Sequence, residues 1–178
     1  MANGALTLLE ELRGDAKLGK NKHFNASERK LKYHFYCGVP VVLINVFIGT
    51  VIIFLLSARG DSWWVSLVAA VLAFAAASLS ALQTLFNFHK VSEGHRAIGN
   101  RYLNVSRRCK KTLQMHQDRA YDIDALWAVV GEIESEYKEI NSEAESFPTN
   151  LKDLAVAKKA KEITPFANPF GENSLKKS

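Results

Sequence analysis

The sequence predicts an all-α membrane protein, built as a two-helix transmembrane hairpin with a cytosolic helical bundle. Three observations predict it. Trp63 to Phe88 is a run of twenty-six residues without a charge, about 39 Å long as a helix and therefore longer than the roughly 30 Å hydrocarbon core of a bilayer. Gly38 to Leu56 is a second apolar run, of nineteen residues, about 28 Å long and sufficient to cross once. The remainder of the 178-residue chain is polar, with apolar positions recurring at helical spacing. The net charge of +5 and the near-zero mean hydropathy of −0.06 both average over blocks of opposite character.

Residues 1–35 form a cytosolic N-terminal segment and juxtamembrane helix. Leu6, Leu8, Leu9 and Leu12, with Glu10 and Glu11, start an amphipathic helix that Gly14 or Gly19 ends. Asn25 or Ser27 then caps a helix running through Glu28, Arg29, Lys30 and Tyr33 toward the membrane. A polar, Lys-rich lead of this length is unlike a cleaved signal peptide, so the first span is expected to be retained.

Residues 36–57 are the first transmembrane helix. Pro40 lies near its entrance, where a proline loses little, and Asn45 and Gly49 share a face four residues apart. An amide in hydrocarbon needs a partner, so Asn45 is either a pore or gate residue or a structural donor to Ser78, Ser80 or a neighbouring subunit. Residues 58–62 form a short non-cytoplasmic loop, which makes the two spans an antiparallel hairpin. Residues 63–88 are the second transmembrane helix, entered through Trp63 and Trp64 as interfacial anchors. Along it Ser66, Ala70, Ala73, Ala77, Ser80, Thr84 and Asn87 recur at steps of three and four. Such a stripe of small and polar residues is a helix-packing face, on this chain or another, or a weakly polar pore wall if several copies ring an axis.

Lys and Arg number seven in residues 1–35 and eight in residues 89–119, against Arg59 alone in the loop. By the positive-inside rule both termini are cytoplasmic. Residues 89–146 form a cytosolic helical hairpin of segregated charge. Arg101, Arg107, Arg108, Lys110 and Lys111 lie on its basic first helix and suit assembly contacts or anionic lipid. Asp122, Asp124, Glu132, Glu136 and Glu139 lie on its acidic second helix, which complements the first within a chain or between chains. Residues 147–178 are a short helix and a mobile tail, opened by Pro148.

Chemistry is sparse. The five histidines and two cysteines, Cys37 and Cys109, form no recognisable ligand pair, and Gly94 and Gly99 lack a phosphate-loop pattern. The chain is therefore expected to be no enzyme, with no catalytic, cofactor-binding or metal-binding residues and no cofactor. Nucleic acid is not an expected partner, because the acidic helix repels phosphate.

The order of parts, with His95, Tyr102 and the Arg107 to Lys111 cluster after the second span and the Pro148 break before a last short helix, resembles the SLATT family over roughly residues 25–163. These are two-transmembrane effectors associated with bacterial nucleotide-signalling and conflict systems. The resemblance implies a homo-oligomeric pore or channel that permeabilises the bacterial inner membrane in antiviral defence, with the lipid bilayer and further copies of the chain as partners. It also implies a trigger from a separate sensor protein or nucleotide signal, since the sequence carries no attached sensing domain. A second reading is a non-conducting anchor or scaffold that recruits a cytosolic partner through residues 89–146. A third is a soluble bundle with both apolar runs in its core.

Overall fold

The computed structural model describes residues 2–57, 63–119 and 122–160. The described residues form five helices and no strand: α1 (Ala2–Ser57), α2 (Trp63–Phe86), α3 (Phe88–Arg119), α4 (Ile123–Ala144) and α5 (Leu151–Lys158). The expected loop at 58–62 and the expected tail from Thr164 lie outside the described residues. The chain divides into two compact units, one of residues 1–27 and 93–178, the other of residues 28–92.

The first unit is a helical bundle with a heptad seam. Buried positions step by four and three along α1 (Ala5, Leu9, Leu12, Ala16), α3 (Ile98, Tyr102, Val105, Cys109) and α4 (Leu126, Val130, Ile133, Ile140), and these side chains form one core. A period of 3.5 keeps one stripe of each helix facing its neighbours. Contacts fix the directions. His23 meets His95 and Gly19 meets Tyr102, so α1 and α3 are antiparallel; Arg101 meets Glu139 and Arg108 meets Glu132, so α3 and α4 are antiparallel too. The short α5 is closed by a capping box in which Asn150 and Asp153 exchange side-chain and backbone hydrogen bonds of 2.8 and 3.0 Å.

The second unit is an antiparallel pair of apolar helices. Gln83 Nε2 on α2 donates to the His34 carbonyl of α1 at 3.0 Å, Tyr33 lies against Phe88, and Val41 and Ala76 are buried. Among the described residues two helices are long and apolar enough to cross a membrane, and only 6 % of either apolar window is buried. An apolar run folded into a soluble core is mostly covered; here Phe74 is 76 % and Leu85 79 % exposed.

Three expectations are corrected. Neither Gly14 nor Gly19 ends the N-terminal helix, and neither Asn25 nor Ser27 caps a new one: α1 is unbroken from Ala2 to Ser57. Each helical glycine costs about 1 kcal/mol relative to alanine, and the core formed by Leu9, Leu12 and Ala16 on either side of Gly14 outweighs that. Asn25 turns its amide to the Asp153 carbonyl at 3.2 Å, and Ser27 is buried. Pro40 is not at a helix entrance but in the interior of α1, where its missing N–H leaves the carbonyl four residues earlier without its usual donor.

The apolar helix α2 ends at Phe86, two residues before the expected limit, because Asn87 takes a left-handed conformation, with φ 38°. Its N–H still reaches the Gln83 carbonyl at 2.9 Å, and its own carbonyl receives Val91 N–H at 3.1 Å to start α3. Asparagine tolerates this backbone better than most residues. Asn87→Ala is expected to lower stability by about 1 kcal/mol while Asn87→Gly leaves it unchanged or raises it, as read from unfolding in detergent.

Candidate functional site

Two of the buried polar residues, His23 of α1 and His95 of α3, meet inside the bundle. His23 and His95 are 1 % and 0 % exposed, with their Nδ1 atoms 3.1 Å apart and ring centroids 5.3 Å apart. At that separation one imidazole donates and the other accepts, so the contact suits a neutral pair. Tyr102 lies 5.7 Å from the His23 ring, and its hydroxyl donates to Asn141 Oδ1 at 2.6 Å. Phe147 closes the other side, 5.8 Å from the His95 ring.

Glycines make this convergence possible. Phe147 packs so directly on Gly94 that a Cβ there would overlap its ring; a Cβ at Gly99 would fall 2.7 Å from Phe24, and one at Gly19 would fall 3.1 Å from Tyr102. Three aromatic rings thus occupy the space that side chains would take. The helices approach closely enough for the imidazoles to touch because those positions carry no Cβ.

Beside the pair lies a cleft of about 370 Å³, lined by Lys22, His23, Tyr102, Asn141, Glu145 and Phe147 among others. Burial, reinforced by the neighbouring His95 and Lys22, pushes the His23 pKa down to about 4, with Asp153 opposing. The folded state therefore favours neutral His23 more than the unfolded chain does. Its contribution to stability is complete above the ordinary histidine value of about 6.5 and is lost as pH falls from there through about 4. Burial also raises the Tyr102 hydroxyl to about 12 and the Cys109 thiol to about 11, which makes both poor nucleophiles. Cys37 and Cys109 are both free, and no group of three His, Cys, Asp or Glu able to hold a metal occurs among the described residues.

The charged residues divide by face. Arg101 Nη2 lies 3.1 Å from Glu139 Oε1 and its other Nη atom pairs with Glu143; Arg108 lies 2.5 Å from Glu136 and 3.2 Å from Glu132. Arg107, Lys110 and Lys111 are exposed and form no ion pair among the described residues, nor do Asp122 and Asp124. Asp122 occupies the N-cap of α4 without a side-chain cap bond.

On α2 the structure turns a different stripe to α1 from the one the sequence marks out. Val65, Ala69, Leu72, Ala75, Ala76, Leu79 and Gln83 are the covered positions, whereas Ser66, Ala70, Ala73, Ala77, Ser80, Thr84 and Asn87 are all exposed. The small-residue stripe lies one residue farther round, about 100° from the contact. Thr84 donates to the Ser80 carbonyl of its own helix at 3.0 Å. Asn45 is exposed on α1 and forms no hydrogen bond among the described residues, while Gly49 has open space at its Cβ position.

No protein-family model, no curated protein and no solved structure matches this chain.

Sequence reasoning places His95 and Tyr102 in one segment but misses His23, because Gly14 and Gly19 read as stops that end the N-terminal helix before it. The signal was present: Ala5, Leu9, Leu12, Ala16, Gly19, His23 and Ala26 continue one heptad phase. Gly94→Ala should cost about 1–3 kcal/mol by overpacking against Phe147, with part recovered in the Gly94→Ala/Phe147→Leu double variant. Gly131→Ala, on the open face of α4, should instead stabilise by about 0.5–1 kcal/mol. Chemical denaturation of the four proteins measures both effects.

Proposed function

We propose that this chain is an oligomeric membrane effector that forms a pore or channel and permeabilises the bacterial inner membrane in antiviral defence, with both termini cytoplasmic. One observation carries the oligomeric part. The two apolar helices pair through Val65, Leu72, Ala76 and Gln83, leaving the small-residue stripe from Ser66 to Asn87 uncovered. Small side chains let helix backbones approach closely in lipid, where apolar burial provides no drive for association. An exposed stripe of this kind therefore favours contact with a second copy over lipid. Asn45 supports the same reading, since an amide in hydrocarbon is stabilised by a neighbouring helix or an aqueous lumen. The high exposure of both apolar runs favours lipid over water as their surroundings, and the excess of Lys and Arg in residues 1–35 and 89–119 supports the orientation. The setting in defence rests on the resemblance to the SLATT family, as does a trigger from a separate sensor or nucleotide.

A non-conducting scaffold is the second reading, favoured by the outward cations Arg107, Lys110 and Lys111. Reconstitution into dye-loaded liposomes separates the two. Permeabilisation predicts release that rises steeply with protein-to-lipid ratio and falls in the Ala73→Leu/Ala77→Leu variant, with particle images in detergent showing several copies about an axis. Assembled particles in intact liposomes would support the scaffold. A monomer at every ratio would sink the pore and leave the scaffold.

Charge reversal gives an independent check on the basic helix. Arg108→Glu should destabilise the bundle by removing contacts to Glu132 and Glu136, by no more than about 1 kcal/mol per pair at this exposure. Arg107→Glu should leave unfolding unchanged and alter only assembly or lipid binding, measured by light scattering and vesicle flotation.

A further inference from the structure

We infer that the His23–His95 contact is a proton-operated latch, which holds α1 to α3 while neutral and releases that layer of the bundle when protonated. The inference does not depend on membrane permeabilisation. Its basis is geometric. Two fully buried imidazoles face each other through Nδ1 at 3.1 Å, a distance that accommodates one proton between them. Protonating both rings would place two N–H groups head to head, with two positive charges in an apolar layer formed by Phe24, Phe147 and Tyr102. Neither can be accommodated without separating the rings.

The charges around the pair set the sign. From α1 comes Lys22 and from α3 comes His95, and a positive charge on either disfavours a cation at His23; Tyr102 of α3 is neutral at physiological pH; from α5 comes Asp153, which favours His23 protonation. The C-terminal end of α4 contributes Asn141 and then Glu145 to the adjacent cleft. Asp153 does not offset burial and the neighbouring cations at His23, which is held below its ordinary value. His23 lines an open cleft, which gives protons a route to the layer.

Position makes the layer a latch rather than a buried defect. His23 lies four residues before Ser27 and His95 two residues after Glu93, where α1 and α3 leave this unit. It is the last histidine-bearing layer of the bundle on both helices. The core through Leu9, Val105 and Ile133 lies at the far side of the Gly19–Tyr102 contact and can remain packed while this end opens. Asn25 ties α5 to α1 through the Asp153 carbonyl, so α5 should loosen with it.

Hydrogen exchange of the full chain in lipid nanodiscs, expressed as protection factors at each pH, tests the latch. Residues 16–27 and 92–99 should be protected at pH 7.5 and should lose at least tenfold in protection, reversibly, between about pH 6 and 4. Residues 103–113 and 126–137 should hold theirs over most of that range. His23→Gln/His95→Gln should remove the transition, and Lys22→Gln, which deletes a partly exposed neighbouring cation, should move its midpoint to higher pH. Protection unchanged to pH 4, a transition retained in the double glutamine variant, or a midpoint unmoved by Lys22→Gln would each overturn the inference. Should the double variant not fold, the direction of the Lys22→Gln shift decides alone.

Discussion

Between Ala26 and Val39 the pattern of α1 inverts. N-terminal to that stretch, Ala5, Leu9, Leu12 and Ala16 are turned inward and polar residues outward; beyond it, Val39, Val42, Leu43, Val46 and Phe47 are turned outward. Apart from the Tyr36 carbonyl, which Pro40 leaves without its usual donor, the unbroken helix satisfies its backbone internally across the stretch where its exposed face changes character. The cost falls on side chains instead, and each half of α1 needs partners suited to it. The first half requires α3 and α4 to cover a narrow heptad stripe. The second requires only α2 and tolerates an apolar exterior. The existence of two compact units follows from this one inversion.

The strongest sequence signals were those that depend on composition alone. Uncharged runs of nineteen and twenty-six residues have few physical alternatives, and apolar spacing marks the helices that follow the second run, with Pro148 as the break before the last. The misreadings occurred where local propensity and tertiary packing disagree. Gly14 and Gly19 look like stops, and Asn25 and Ser27 look like caps, because each residue is judged against its neighbours in the chain. Packing overrules them: Gly19 is buried beneath Tyr102, and Asn25 has a partner 128 positions away. The small stripe on α2 was legible as a pattern, but its direction was not. A rotation of one residue separates the stripe that pairs within the chain from the stripe left exposed, and spacing alone fixes the period, not the phase relative to a partner.

Gly94 and Gly99 illustrate the same point in the bundle. Sequence reasoning considered them for a phosphate loop and set them aside; their use is steric. By admitting Phe147 and Phe24 they bring α3 close to α1 and to the α4–α5 connection, and that proximity is what sets His95 against His23. Apolar side chains of similar volume would fill the same layer without a hydrogen-bonding requirement. A polar pair there therefore contributes less to stability than to a defined register between α1 and α3, because the two Nδ1 atoms meet in one alignment only.

The basic run of α3 divides by the same heptad logic. Arg101 and Arg108 are seven residues apart, occupy one position relative to the core stripe, and both reach glutamates on α4. Arg107 is one residue from Arg108 but about 100° round the helix, which puts it on the outward face with Lys111. The charge segregation of the sequence is thus only partly consumed within the chain: four glutamates answer two arginines, and three cations next to them remain turned to solvent. Exposed ion pairs of this kind contribute little to stability, so the ladder acts chiefly to hold register between α3 and α4. The unpaired face has no such internal role, and its chemistry suits an anionic surface, whether lipid headgroups or the acidic flank of another copy.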